Sequence, residues 1–169
     1  MRCNKNVMEN IKGDICQLIV FKQGGQEYAI LVEAIKEVVL TPRITKMPEM
    51  LPHVKGISNI RGNIITIVNL EEKFNLERTI DVGGENDKNF TLIIENEDKR
   101  FGILVKEVPG TLTVSKSTIT DNFSMESGDN IEKDYLKGIV RMKDRLVILI
   151  DILKVFEVRE QKPVSSLVN

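Results

Sequence analysis

His53 is the only histidine in the chain, and with it the only side chain whose unperturbed charge changes near neutral pH. It lies in the proline-bounded run LPHVKG with no nucleophile or orienting acid at motif spacing. A surface or partly packed ring therefore accounts for it better than a general base. Cys3 and Cys16 have no CxxC spacing and no neighbouring histidine, and read as ordinary reduced thiols. No HExxH, GxSxG or phosphate-binding loop occurs. Gly24-Gly25 and Gly83-Gly84 lack the companion glycines and helix start of a phosphate cradle, so they read as turns. Asp151 and Glu37 belong to no carboxylate cluster, and a strand-end hydrogen bond or helix cap explains Asp151 more simply than catalysis does. The chain is expected to be no enzyme and to hold neither cofactor nor metal.

The pattern that does recur concerns architecture. GISNIRGNIITIVNLEEKF, Gly56 to Phe74, returns as GIVRMKDRLVILIDILKVF, Gly138 to Phe156. At a fixed offset Gly56 matches Gly138, Ile60 matches Met142, Ile67 matches Leu149, Asn69 matches Asp151 and Phe74 matches Phe156. Upstream, Tyr28-Ala-Ile-Leu-Val32 answers to Phe101-Gly-Ile-Leu-Val105, each after an apolar run. Self-similarity at a fixed period is an architectural signal, and two copies are too few for a solenoid. A pair of similar small subdomains follows, each with a core too small to stand well alone, so the two must share a seam.

Read in order, residues 1–14 form an N-terminal tail. Ile15 to Phe21 and Tyr28 to Val32 are strands about the Gly24-Gly25 turn, Glu33-Ala34 is a bend, and Ile35 to Leu40 is a third strand or a turn of helix. Prolines at 42 and 48 interrupt regular structure, and Met50 to Lys55 forms one helical turn. Ile57 to Ile60 and Ile64 to Leu70 pair antiparallel about NIRGN. Residues 77–89, polar and glycine-bearing, connect a first subdomain at 15–76 to a second at 90–156. The long polar stretch Ser115 to Asp134 reads as a loop, and 157–169 as a C-terminal tail. About five short antiparallel strands per half argue for two small five-stranded β-barrels.

The 24 Lys and Arg nearly balance the 25 Asp and Glu, leaving a formal net charge of −1 and no general attraction to nucleic acid or anionic lipid. An oligonucleotide-binding barrel would also need aromatic platforms. Phe21, Tyr28, Phe74, Phe101 and Phe156 all fall at predicted core positions instead. No window resembles a signal peptide or a membrane span, and a cytoplasmic location is expected.

Taken together, Phe21-x6-YAI running into IKEV at Ile35 to Val38, MP at Met47-Pro48, VKGISNIRG at Val54 to Gly62, IVNL at Ile67 to Leu70, FGILV at Phe101 to Val105, and YLKGI followed by LVILID at Tyr135 to Asp151 resemble the bacterial chemotaxis coupling family CheW. The resemblance runs from Leu18 to Phe156 and implies two intertwined five-stranded barrels. It implies an adaptor joining the cytoplasmic tips of methyl-accepting chemoreceptors to the regulatory domain of the histidine kinase CheA, with membrane association only through receptors. It places receptor contact at Ile35, Glu37, Val38, Gly56, Asn59, Arg61 and Gly62, beside a groove lined by Ile35, Val38, Ile57 and Val105 that would receive a helical hairpin tip. Arg61 would pair with Glu37 or reach a receptor carboxylate. Ile44, Met47, Phe123 and Met125, apolar residues in polar loops, are the candidates for kinase-facing surfaces, or else cap the nearest barrel end. Where many relatives carry an acid after the second GxLV run, this chain has Lys106 before Glu107. The alternatives are a CheW-like scaffold for a histidine-kinase pathway outside chemotaxis and, remotely, a nucleic-acid-binding barrel.

Overall fold

The computed structural model describes residues 14–80, 88–97, 99–120 and 135–156. β1 (Ile15–Gln23) and β2 (Gln26–Leu31) form a hairpin about Gly24-Gly25, whose φ values of 58° and 79° lie in the left-handed region that favours glycine. A 3-10 turn at Val32–Ala34 leads into β3 (Ile35–Leu40), which is a strand. β4 (Val54–Ile60) and β5 (Asn63–Val68) pair antiparallel about Arg61-Gly62, and helix α1 (Leu70–Lys73) follows. No helical turn forms over Met50 to Lys55. The Val54 N–H donates to Leu51 O in a tight turn, and Val54 and Lys55 already belong to β4.

The second copy runs β6 (Phe90–Glu95), β7 (Arg100–Val105), β8 (Gly110–Ser115), a 3-10 turn at Lys116–Thr118, β9 (Ile119–Thr120), β10 (Leu136–Arg141), β11 (Leu146–Ile150) and α2 (Ile152–Val155). Part of the stretch read as a long loop, Ser115 to Thr120, is thus ordered as turn and strand. Asn69 and Asp151 both cap helices: the Asn69 side chain accepts from Glu71 N, and that of Asp151 from Lys154 N. Their own N–H groups donate to His53 O and Tyr135 O, each at 2.8 Å, so the two copies match down to the hydrogen bond.

The sheets do not follow the two sequence halves. One has the order β8-β1-β2-β11-β10-β9, the other β3-β6-β7-β5-β4. The first hairpin of each copy sits in the sheet built by the later strands of the other copy. The boundary expected at residues 77–89 therefore separates the copies but not the sheets. Nor is the pairing antiparallel throughout: β2 meets β11 and β5 meets β7 in parallel. The register of these two seams is the same, Tyr28 opposite Ile148 and Phe101 opposite Thr66. The outer strands of the first sheet, β8 and β9, are joined by the short turn Lys116–Thr118, and those of the second, β3 and β4, by the longer stretch 41–53. Between β3 and β4, Thr45 forms a bridge with Ile57.

The exchange explains why the hairpin strands read as unbroken apolar runs, since they are buried on both faces. On β1, Leu18 and Val20 face the inside of one sheet with Val147 and Leu149, while Ile19 and Phe21 face the other way. On β7, Leu104 faces Ile65 and Ile67, while Phe101, Ile103 and Val105 face out. These outward residues meet between the sheets with Tyr28, Phe74 and Phe156 in the largest buried apolar cluster. His53 is buried there against Phe156, its ring centroid 5.9 Å away, and its counterpart Tyr135 stands 6.4 Å from Phe74.

Candidate partner-binding surface

β3 and β4 are the outer strands of the second sheet, and the candidate site lies across the gap between them. Tight turning at the β4–β5 corner puts Arg61 in the left-handed region, φ 53°, followed by Gly62 at 82°. From there the Arg61 Nε donates to Glu37 Oε1 at 3.0 Å and Oε2 at 3.1 Å, so the expected pairing forms. The Arg61 side chain is 72% exposed, and an ion pair so open to water is worth about 0–1 kcal/mol. Its consequence is orientation: the guanidinium is held on the surface with its charge only partly used.

Around this pair the apolar surface is uneven. Val38, 40% exposed, stands on β3 opposite buried Leu92, on the face turned away from that of Glu37, and Ile35 is half-buried against the cluster between the sheets. Asn59 is exposed on β4 opposite Ile64, which is 64% exposed, and Ile57 is half-buried. Leu40 is exposed further along β3. Neither Leu40 nor Ile64 was singled out from sequence, although alternation along β3 puts Leu40 on the same side as Val38.

Two expected contacts are corrected. Val105 is 1% exposed and packs in the cluster between the sheets, so it lines no groove. Strand alternation puts it on the same face as Phe101, a core residue. Gly56 is buried as well, and its role is backbone approach. At φ 146° it sits on a bulge of β4, and a Cβ there would lie 2.3 Å from Thr45 O. Gly138 does the same for β10, where a Cβ would meet Ile119 at 2.7 Å.

Of the kinase-facing candidates, Met47 is exposed, whereas Ile44 is half-buried against Ile60 and its neighbours inside the second sheet, the capping role. Phe123 and Met125 lie outside the described residues. Cys16 is buried, and burial pushes its thiol up, away from reactivity; Cys3 lies outside the described residues.

Glu71 was missed. Fully buried, its carboxylate accepts from Gly24 N at 2.8 Å, Thr79 N at 2.9 Å, Ile80 N at 3.0 Å and the Thr79 hydroxyl. Burial alone pushes this carboxyl up, but the Thr79 hydroxyl and the three backbone donors hold it below the usual glutamate range. No sequence signal announces it, because three of its four donors are backbone groups.

A family model described as the CheW-like domain matches residues 17–160. The chain belongs to that family. Chemotaxis protein CheW of Treponema pallidum is 31% identical over 152 residues, covering 89% of this chain and 88% of that protein. Chemotaxis protein CheW of Bacillus subtilis is 30% identical over 139 residues, covering 80% and 83%. The crystal structure of the scaffolding protein TtCheW from Thermoanaerobacter tengcongensis superposes with a TM-score of 0.70, covering 89% of this chain and 92% of that one. At 24% identity that likeness shows the fold alone. Protein PilI of Pseudomonas aeruginosa matches a shorter stretch, 29% identical over 92 residues, 54% of this CheW-like chain and 49% of PilI. Among the described residues no helix is long and apolar enough to cross a membrane.

Proposed function

We propose that this CheW-like protein is a non-enzymatic chemotaxis adaptor in the cytoplasm, joining the tips of methyl-accepting chemoreceptors to the regulatory domain of the histidine kinase CheA. The near full-length similarity to proteins named chemotaxis protein CheW supports this reading. Receptor contact is assigned to the β3–β4 face: Arg61 oriented by Glu37, with Ile35 half-buried against the inter-sheet cluster and Val38 and Asn59 exposed on the two strands. An oriented cation beside a half-buried apolar rim suits an amphipathic helical tip. Met47 is assigned to a kinase-facing surface on its exposure, together with Phe123 and Met125 on sequence alone.

The test is a calorimetric titration of the intact chain with a purified receptor cytoplasmic fragment and a purified kinase regulatory domain, separately and together. Arg61→Glu is expected to weaken receptor binding by about 1–3 kcal/mol, the range for a central interface arginine, and to leave kinase-domain binding unchanged. Unchanged receptor affinity removes Arg61 from the site. Failure of both ligands to bind favours the second reading, a CheW-like scaffold for another histidine-kinase pathway, which the partial similarity to PilI supports.

A further inference from the structure

In the first copy, a strap of chain fills a groove. Leu76 passes over the β1–β2 turn, where a Cβ on Gly24 would lie 2.7 Å from its own Cβ. The buried Glu71 carboxylate then holds Thr79 and Ile80, and Ile80 packs beside Leu104. The internal repeat maps the turn, Leu104 and the start of α1 onto the second copy. Gln23-Gly24 corresponds to Asn96-Glu97 at the β6–β7 turn, Leu104 to Leu31, and Asn69-Leu70-Glu71 to Asp151-Ile152-Leu153.

Those counterparts line one cavity of about 450 Å³, floored by Ile30, Leu31 and Ile152. Leu153 stands where the first copy has Glu71, so this groove has no carboxylate to clamp the chain's own backbone. Its turn is tied down differently, by Lys99 Nζ donating to Phe156 O at 2.7 Å. Of the carboxylates on the rim, Glu95 is paired with Lys36 at 3.0 Å and Arg100 at 2.8 Å and Asp151 lies 3.6 Å from Lys137, so Glu33 and Glu97 carry its negative charge toward a ligand.

We propose that this groove docks an extended segment of another protein that presents one branched apolar side chain between lysines or arginines. The occupied groove in the first copy shows the mode: a short strap inserting Ile80 beside the turn. The charges of the rim select the flanks. The site adjoins the start of β3, where Lys36 pairs with Glu95, but shares no residue with those assigned to the β3–β4 face and does not depend on the adaptor reading.

The probe is the acetylated hexapeptide Lys-Lys-Thr-Ile-Lys-Lys, titrated into the intact chain and followed by methyl NMR. Saturable shifts are expected at Ile30, Leu31, Ile152 and Leu153. The peptide Glu-Glu-Thr-Ile-Glu-Glu, and the basic peptide against the surface double variant Glu33→Lys/Glu97→Lys, are each expected to bind about tenfold more weakly, since the rim charges are reversed. Arg61→Glu should leave the peptide's affinity unchanged. Shifts centred elsewhere, equal affinity for both peptides, or an indifferent double variant of unaltered thermal midpoint would overturn the proposal. So would binding seen only after residues 157–169 are deleted, which would assign the groove to the chain's own tail.

Discussion

Glu71 puts a buried charge at the hinge between α1 and the connecting chain, and its removal strands four donors. Glu71→Ala is expected to destabilise the protein by about 3 kcal/mol or more, the penalty for buried polar groups left unpaired, read from urea unfolding at pH 7. Its folded carboxyl is held below the ordinary value, so its stabilisation is complete above the unfolded pKa of about 4. It is lost as the pH falls through the lower folded value. Wild-type stability should therefore drop as acid is added below about pH 5, and Glu71→Gln, weaker at pH 7, should drop less over that interval. The two matched glycines separate by geometry. Gly56→Ala meets a backbone oxygen at 2.3 Å and an unfavourable φ, whereas Gly138→Ala meets the Ile119 side chain at 2.7 Å, which can shift. Losses of about 3 and about 1 kcal/mol in thermal or urea unfolding are expected, in that order.

Local elements could be read before any coordinates because each is fixed by neighbours in sequence. Gly24-Gly25 and Arg61-Gly62 turn hairpins through positive φ, and Asn69 and Asp151 start helices by capping. Asn69 is the more buried cap, so Asn69→Ala should lower stability by about 1–2 kcal/mol and Asp151→Ala by about 0.5–1, compared in the same unfolding assay. What could not be read was which strand each hairpin edge meets. Tyr28 pairs with Ile148 across most of the chain, and an apolar run declares burial on two faces without naming the partners. Val105 is a different case: the alternation that makes Phe101 a core residue applies to Val105 too, so its burial is legible in the parity of the FGILV run. Glu37 with Arg61 was readable as a pair only through the resemblance. Nothing between those two residues in sequence links a strand centre to a distant turn.

At the level of the whole molecule, the exchanged hairpins make the two copies interdependent, since each sheet needs strands from both. Fragments 1–80 and 88–169, produced together, are expected to copurify in equal amounts with native far-ultraviolet circular dichroism, and each alone to be unfolded. A stably folded 1–80 fragment would contradict the interlock. The same arrangement speaks to origins. A unit whose leading hairpin belongs in a neighbour is finished only when two are present, so a single-copy ancestor of this chain would have been a homodimer with reciprocally lent arms. Joining the two copies in one chain makes that association independent of protein concentration and lets the copies differ, with Glu71 in one and Leu153 at the matching place in the other.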